Sequence, residues 1–276
     1  MEAELAEEEV VVEVLPEEAA VEEDVSATER LKLEAKSLEH QVSHFPKNPF
    51  CSICSIARMT SARVDHTGKK DKTDNLPIPE SFGKMLMADN IIVAQEEEDA
   101  GKGAAGERTA LIVKDAYSGA RMIYPSTRRT KEANMLGLQK FLGPALSSSK
   151  VILKSDAAKE LVGAAETLGW LPETSLPNRW PHNTTLERDV RHIKECTRAV
   201  HYQAGFDHEL WPVSIQFAAT TLNCTQEASH DSTKSRWEAV TGEDFSGTKI
   251  PLGALVYYRN KNHETFSTGA APGIFA

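Results

Sequence analysis

The order of apolar patterns between residues 82 and 226 constrains the fold of this chain more than any other feature. Three strand-like runs, KMLMADNIIV, ALIVKDA and ARMIYP, are followed by a helical pattern, a short apolar run VILKSD and a second helical pattern. Hairpin-linked strands that give way to strand–helix alternation favour an α/β fold, with one part of the sheet antiparallel and another parallel. We therefore predict a mixed sheet flanked by helices, with two further long helices near 184–204 and 208–226.

The negative charge of the chain is concentrated at its N-terminus. The net charge is −10, but residues 1–24 hold eleven Asp or Glu and no Lys or Arg, so the remainder is near neutral. An acidic segment poor in aromatic residues is typical of disorder, and the near-neutral body is compatible with a nucleic-acid partner. The start lacks the basic residues of a signal peptide, and no run reaches the roughly 20 apolar residues of a membrane span. We expect a soluble, intracellular protein with no membrane partner.

Four potential metal ligands lie within fifteen residues of one another, namely His40, His44, Cys51 and Cys54. Two histidines four residues apart share one face of a helix, and a Cys-x-x-Cys turn directs two thiolates at one ion. The alternatives are a redox-active cysteine pair and ordinary surface histidines. Four nitrogen and sulfur ligands favour a closed, structural Zn²⁺ site. The two distant cysteines, Cys196 and Cys224, are expected to be buried thiols.

Three carboxylates occupy positions where chemistry is common. Asp89 lies inside an apolar strand, Asp156 follows the short run VILK, and Glu187 opens a basic helix. Each has an ordinary explanation: a bulge residue, an N-cap, and an acid that complements a helix dipole. Together they suggest a site for two Mg²⁺ or Mn²⁺ ions, because divalent pairs held by convergent carboxylates serve phosphoryl transfer.

The helix that starts near residue 184 carries charge at a regular spacing. Glu187, Arg191, Lys194 and Arg198 are separated by four, three and four residues, so they share one face. A solvated surface with pairing between Glu187 and Arg191 explains this stripe as well as a phosphate-binding face does.

Five segments resemble the integrase region of copia-type LTR retrotransposon polyproteins, in order and over about residues 40–260. These segments are LMADNIIV, LIVKDAYSGARMIYP, ILKSDAAKEL, PNRWPHNTTLERDVRHIKECTR and LWPVSIQFAATTLN. The stretch KDAYSG, with Asp115 and Ser118, matches the second strand of the family, although a hairpin turn is a sufficient explanation for it.

This resemblance implies an RNase H-like fold with a catalytic DDE triad of Asp89, Asp156 and Glu187 that binds Mg²⁺ or Mn²⁺. It implies 3′-end processing of element DNA and strand transfer into a target duplex, and an N-terminal His-His-Cys-Cys zinc module. DNA is then the expected partner, the protein is expected to be a homo-oligomer, and its expected location is the nucleus. The residues expected to contact DNA are Asn183, Arg188, Arg191, Lys194 and Arg198.

The chain departs from the family pattern at two places. The family has Asn and glycines after its second Asp, where this chain reads DAAKEL, and it has Gly in the loop before its Glu, where this chain has Thr184. Loss of glycine stiffens a loop that needs unusual backbone angles. Two further hypotheses therefore stand beside an active integrase: a catalytically decayed, integrase-derived nucleic-acid-binding protein, and a simple RNase H-like nuclease that cleaves without joining.

The domain organisation follows from these assignments. We predict an acidic disordered tail (1–27), a His/Cys zinc module (28–64), a linker (65–81), an RNase H-like catalytic core (82–226) and a C-terminal extension (227–276).

Overall fold

The computed structural model describes residues 26–57, 79–95, 100–144, 150–174, 184–259 and 270–276. The acidic tail and most of the predicted linker lie outside these residues. In chain order the helices are α1 (Ala27–Glu34), α2 (Leu38–Ser43), α3 (Ser52–Ala57), α4 (Lys131–Leu142), α5 (Lys159–Thr167), α6 (Thr184–Ala204), α7 (Trp211–Thr225) and α8 (Arg236–Thr241). The strands are β1 (Met85–Ile92), β2 (Thr109–Asp115), β3 (Arg121–Ser126), β4 (Ile152–Ser155), β5 (Leu171–Thr174), β6 (Leu255–Arg259) and β7 (Ala270–Ile274).

The first five strands form one mixed sheet in the order β3-β2-β1-β4-β5. β1, β2 and β3 pair antiparallel, whereas β4 is parallel to β1 and β5 is parallel to β4. The predicted fold class, a mixed sheet flanked by helices, is confirmed. β5 carries no strand signal in the sequence because it is short, largely exposed and contains Pro172. A proline is tolerated there because β5 is an edge strand.

Both faces of the sheet are covered by helices. Met87 and Ile91 of β1 pack into a core with α6 and α7, whereas Leu86 and Ala88 pack into a second core with α4 and α5. Side chains alternate between the two faces along a strand. Asp89 therefore shares the face of Met87 and Ile91, which is the face that α6 covers.

The N-terminal segment contains three short helices. Ser26 caps α1, because its hydroxyl oxygen accepts from the Glu29 N–H. In turn, the Glu29 carboxylate accepts from the Ser26 N–H. The segment SATERLKLEAKSLEHQVSH, with Ser26 as its N-cap, predicts one helix that ends near His44. That prediction is wrong, because α1 ends at Glu34 and α2 starts after Ser37. The Ser37 hydroxyl donates to the Glu34 carbonyl at 2.8 Å and accepts from the His40 N–H at 3.2 Å. Because the Ser37 side chain bonds to the end of α1 and to the start of α2, it favours two separate helices over one continuous helix.

The chain beyond α7 forms α8 and a two-stranded antiparallel sheet of β6 and β7. The predicted strand ALVYYR is confirmed as β6. In the described part of the chain, no helix combines the length and apolar character needed to cross a membrane.

Candidate metal centres and nucleic-acid interface

The four predicted zinc ligands meet in the structure. One ligand atom from each of His40, His44, Cys51 and Cys54 lies within 4.8 Å of all the others, and all four residues are buried. The Sγ of Cys54 is 3.4 Å from Nε2 of His40 and 3.7 Å from Nδ1 of His44, and the Sγ of Cys51 is 3.5 Å from the same Nδ1. Nitrogen and sulfur atoms around tetrahedral zinc are about 3.6 Å apart, given Zn–N and Zn–S bonds of about 2.1 and 2.3 Å. The donor set and its spacing therefore fit Zn²⁺.

The backbone positions these ligands differently from the sequence expectation. His40 lies in α2, but His44 is the residue after the helix and has a left-handed φ of 50°. The two rings consequently do not project from one helix face, and the turn at His44 brings its ring toward the cysteines. Cys54 lies in α3, and its backbone N–H points at the Sγ of Cys51 at 3.5 Å.

The His/Cys cluster is attached to the sheet domain through α6. With Nδ1 facing the cysteines, the Nε2–H of His44 donates to the side-chain oxygen of Gln203. Cys196, predicted to be a buried thiol, is buried, and its Sγ donates to the carbonyl of Ser43 at 2.8 Å. A hydrogen bond to the second ring nitrogen fixes the orientation of a metal-binding histidine. Zinc binding and the packing of α6 are therefore physically linked.

The parallel pairing of β1 with β4 brings Asp89 and Asp156 to equivalent positions along the two strands, although both acids lie just beyond the paired residues. Met87 of β1 pairs with Lys154 of parallel β4, and each acid lies two residues beyond its member of that pair. Asp89 is half-buried, whereas Asp156 is exposed just after β4 ends. Glu187 is exposed on the first turn of α6, the helix that covers the Asp89 face.

The charges of Asp156 and Glu187 both act on Asp89. Burial raises the pKa of Asp89, and the charges of Asp156 and Glu187 raise that pKa further. Two groups oppose this shift: the Asn90 N–H, which donates to Asp89 Oδ1 at 2.7 Å, and the charge of Lys194. A charge shifts the pKa of a carboxylate in this way only when it lies close by, at a distance between a few ångströms and about one Debye length. Asp156 and Glu187 therefore lie within electrostatic range of Asp89.

The acids are less tightly grouped than the His/Cys cluster. Among the described residues, Asp89, Asp156 and Glu187 do not form a compact set of ligand atoms comparable to that cluster. One oxygen of Asp156 accepts from the Ala158 N–H at 3.2 Å, which is a local turn contact. The predicted N-cap role of Asp156 is wrong, because the N-cap of α5 is Ala158.

The basic residues of α6 are available to a ligand. All four that the sequence singles out are exposed, namely Arg188, Arg191, Lys194 and Arg198. The opposite side of the helix is buried in the core through Leu186, Ile193 and Cys196. Asn183 lies outside the described residues.

A buried ionic network, which we did not predict from the sequence, lies beside this face. The carboxylate of Asp189 accepts from Lys114 and from Arg121, whose guanidinium also donates to Gln226, and all four residues are buried. Burial by itself raises the pKa of Asp189, but the charges of Arg121 and Lys114 outweigh it and hold that pKa below its usual value. The sequence does contain a signal that Asp189 is buried. Asp189 is three residues after Leu186 and four before Ile193, so it lies on the apolar stripe of α6.

The predicted hairpin role of Asp115 and Ser118 is confirmed. The buried Asp115 carboxylate accepts from the Ser118 N–H at 2.7 Å, the Ser118 hydroxyl at 2.8 Å and the Gly83 N–H at 2.9 Å. These bonds close the turn between β2 and β3 and join it to the start of β1.

A scan against protein-family models found no match, and a search of curated proteins found none either. Among solved structures, this chain is similar to the simian T-cell lymphotropic virus intasome in complex with PP2A regulatory subunit B56 gamma, at 15% identity, 70% coverage of each chain and a TM-score of 0.42. It is also similar to the BIV integrase catalytic core domain, at 16% identity, with 56% of this chain and 92% of that chain covered and a TM-score of 0.39. A third match is the HTLV-2 integrase catalytic core domain in complex with magnesium, at 15% identity, 58% and 97% coverage and a TM-score of 0.41. At TM-scores below 0.5, these similarities do not decide the function of this chain.

Proposed function

We propose that this chain is a copia-type, integrase-like polynucleotidyl transferase that processes DNA 3′ ends and transfers them into a target duplex. The observation that supports the proposal is that the charges of Asp156 and Glu187 act on the half-buried Asp89, on the face of the sheet that α6 covers. A carboxylate whose pKa is raised by burial and by nearby like charges, as that of Asp89 is, is common at functional sites.

The donor chemistry of the three acids fits Mg²⁺ or Mn²⁺, because hard cations take oxygen ligands. When bound, such ions polarise the scissile phosphate and activate an attacking water or 3′-hydroxyl. Asp89 supplies a half-buried carboxylate that the Asn90 N–H and Lys194 help to keep ionised. Arg188, Arg191, Lys194 and Arg198 are positioned to contact phosphate groups of the DNA. The proposal includes DNA as partner, a homo-oligomer and a nuclear location.

The zinc module has a structural role in this proposal. Four protein ligands complete a tetrahedral site and leave no position for a substrate. Through Gln203 and Cys196, the module stabilises α6, the helix that carries Glu187.

A strand-transfer assay with Mg²⁺ or Mn²⁺ tests the proposal through the change Glu187→Gln. We expect the joined product to fall at least about 100-fold, since even indirect metal partners are worth about 10- to 100-fold. Glu195→Gln is the matched control, because it makes the same chemical change about two turns further along α6. Equal product from wild type and Glu187→Gln would contradict the proposal.

The second candidate is a catalytically decayed, integrase-derived nucleic-acid-binding protein. It is favoured by the looser grouping of the acids and by the hydrogen bond that Asp156 makes to Ala158. It predicts that wild type and Glu187→Gln bind duplex DNA equally and that both give only background cleavage and joining. Cleavage without joining would instead identify a simple nuclease.

A further inference from the structure

A cationic cleft of about 490 Å³ lies beside the start of α6. It is bordered by the loop after α2, by β2, by α6, by the segment after α7 and by α8. The residues that matter for its chemistry are Phe45, Lys114, Arg188, Asp189, Gln226 and Arg236. The buried Arg121 lies directly behind Asp189 and Gln226.

The floor of the cleft has more positive than negative charge. Lys114 and Arg121 share the single carboxylate of Asp189. Arg236 adds a third cation at the same place, since both Arg121 and Asp189 act on it electrostatically. Three cations and one carboxylate leave a surplus of two positive charges. At the rim, exposed Arg188 and exposed Glu227 balance one another.

Arg236 is a cation of the cleft with an unsatisfied hydrogen-bond donor. Its Nε donates to the Glu227 carbonyl at 3.1 Å, but its Nη1 is buried and has no hydrogen-bond partner among the described residues. Burial, reinforced by the charge of Arg121, lowers the pKa of Arg236 to about 10. A buried guanidinium donor without an acceptor is costly. The positive charge of Arg236 adds to the surplus in the cleft, which a bound anion would neutralise.

We propose that this cleft binds a phosphate group, with Arg236 as its principal ligand and Lys114 and Arg188 as further contacts. A phosphate monoester carries close to two negative charges near neutral pH, which matches the surplus, and the guanidinium fork suits its oxygens. The cleft volume lies in the range of small-molecule sites, so the phosphate can be attached to a larger group. A terminal phosphate of a nucleic-acid strand and a free phosphate compound offer the same chemistry.

This proposal goes beyond polynucleotidyl transfer and needs no divalent metal. Inorganic phosphate is titrated into the full chain by calorimetry, without Mg²⁺ and at constant ionic strength. We expect saturable binding that weakens at least tenfold in Arg236→Gln, because a charge-assisted hydrogen bond is lost. Arg129→Gln is the matched control, since Arg129 pairs with Glu160 at 3.3 Å away from the cleft. Equal affinity in the two variants, or succinate binding as tightly as phosphate, overturns the proposal.

Two oligonucleotides distinguish the sources of the phosphate. If a 5′-phosphorylated strand binds more tightly than the same strand without the phosphate, and Arg236→Gln removes the difference, the ligand is a strand terminus. If the two strands bind alike while inorganic phosphate still binds in an Arg236-dependent way, the ligand is a free phosphate compound. If Arg236→Gln does not fold, the exposed Arg188→Gln replaces it, and unchanged phosphate affinity in that variant overturns the proposal. None of these readouts requires strand transfer, so they succeed or fail independently of the proposed function.

Discussion

The His/Cys cluster and the three acids Asp89, Asp156 and Glu187 differ in how their side chains are brought together. The cluster takes all four ligands from residues 40–54, buries them and holds them at spacings that suit one ion. The acids come from β1, from the end of β4 and from α6, and only Asp89 among them is even half-buried. A site built from one short segment is organised by local turns, whereas a site built from three elements depends on how those elements pack. The two centres should therefore respond differently to mutation and to metal.

The largest effect is expected for Cys54→Ser, which removes one zinc ligand. Zinc binding contributes about 10–16 kcal/mol in small zinc-dependent folds, so loss of a ligand should unfold the N-terminal module. The measurement is zinc content together with the rate of proteolysis in residues 26–57. Cys224→Ser, at a half-buried thiol outside the cluster, is the control and should retain zinc. Full zinc content in Cys54→Ser would show that the cluster is not a metal site.

A smaller effect is expected for Asp189→Asn. This change tests whether the buried network holds α6, and with it Glu187, against the sheet. Lys114 and Arg121 would stay buried without a carboxylate. Breaking a buried ion pair costs about 3–5 kcal/mol, so the free energy of unfolding should fall by that order. Denaturant unfolding measures it, with the exposed Asp207→Asn as control. If Asp189→Asn is as stable as the control, the network does not anchor α6.

The smallest effects are expected at the acids themselves. At a concentration of about ten times its Kd, Mg²⁺ should raise the free energy of unfolding of the wild type by about 1.4 kcal/mol. The same Mg²⁺ concentration should leave the free energy of unfolding of Asp156→Asn unchanged. A melting curve with and without Mg²⁺ reports this difference. An equal Mg²⁺ effect in both proteins would place the ion elsewhere.

The change Asp89→Asn tests the electrostatics of the three acids in the absence of metal. The folded-state pKa of Asp89 is raised, so its ionised form costs stability at pH values above that pKa. Asparagine keeps the acceptor for the Asn90 N–H and removes the charge. We expect metal-free Asp89→Asn to gain stability by less than about 1 kcal/mol at pH 7, with the gain vanishing as pH falls through the raised pKa. Lower stability than wild type at pH 7 would contradict the mutual repulsion of the acids.

The sequence was most informative where a signal is local. The apolar runs predicted β1 to β4, Ser26 marked the start of α1, and the spacing of His and Cys predicted the cluster. The sequence did not reveal the break at Ser37, because a serine inside a helical pattern does not show which of its hydrogen bonds will win. Nor did it reveal β5 or β7, whose short segments carry no apolar alternation and are defined by the strand each one pairs with.

The sequence alone determined the order of β1 to β4 with α4 and α5, the four candidate zinc ligands and the amphipathic character of α6, because each depends on residues close together in the chain. Only the tertiary structure decided that Asp89 and Asp156 lie in register, that His44 turns out of its helix, and that Arg236 joins the buried network of Asp189. These outcomes depend on contacts between residues tens of positions apart. Burial and charge then act between side chains whose proximity no local pattern encodes.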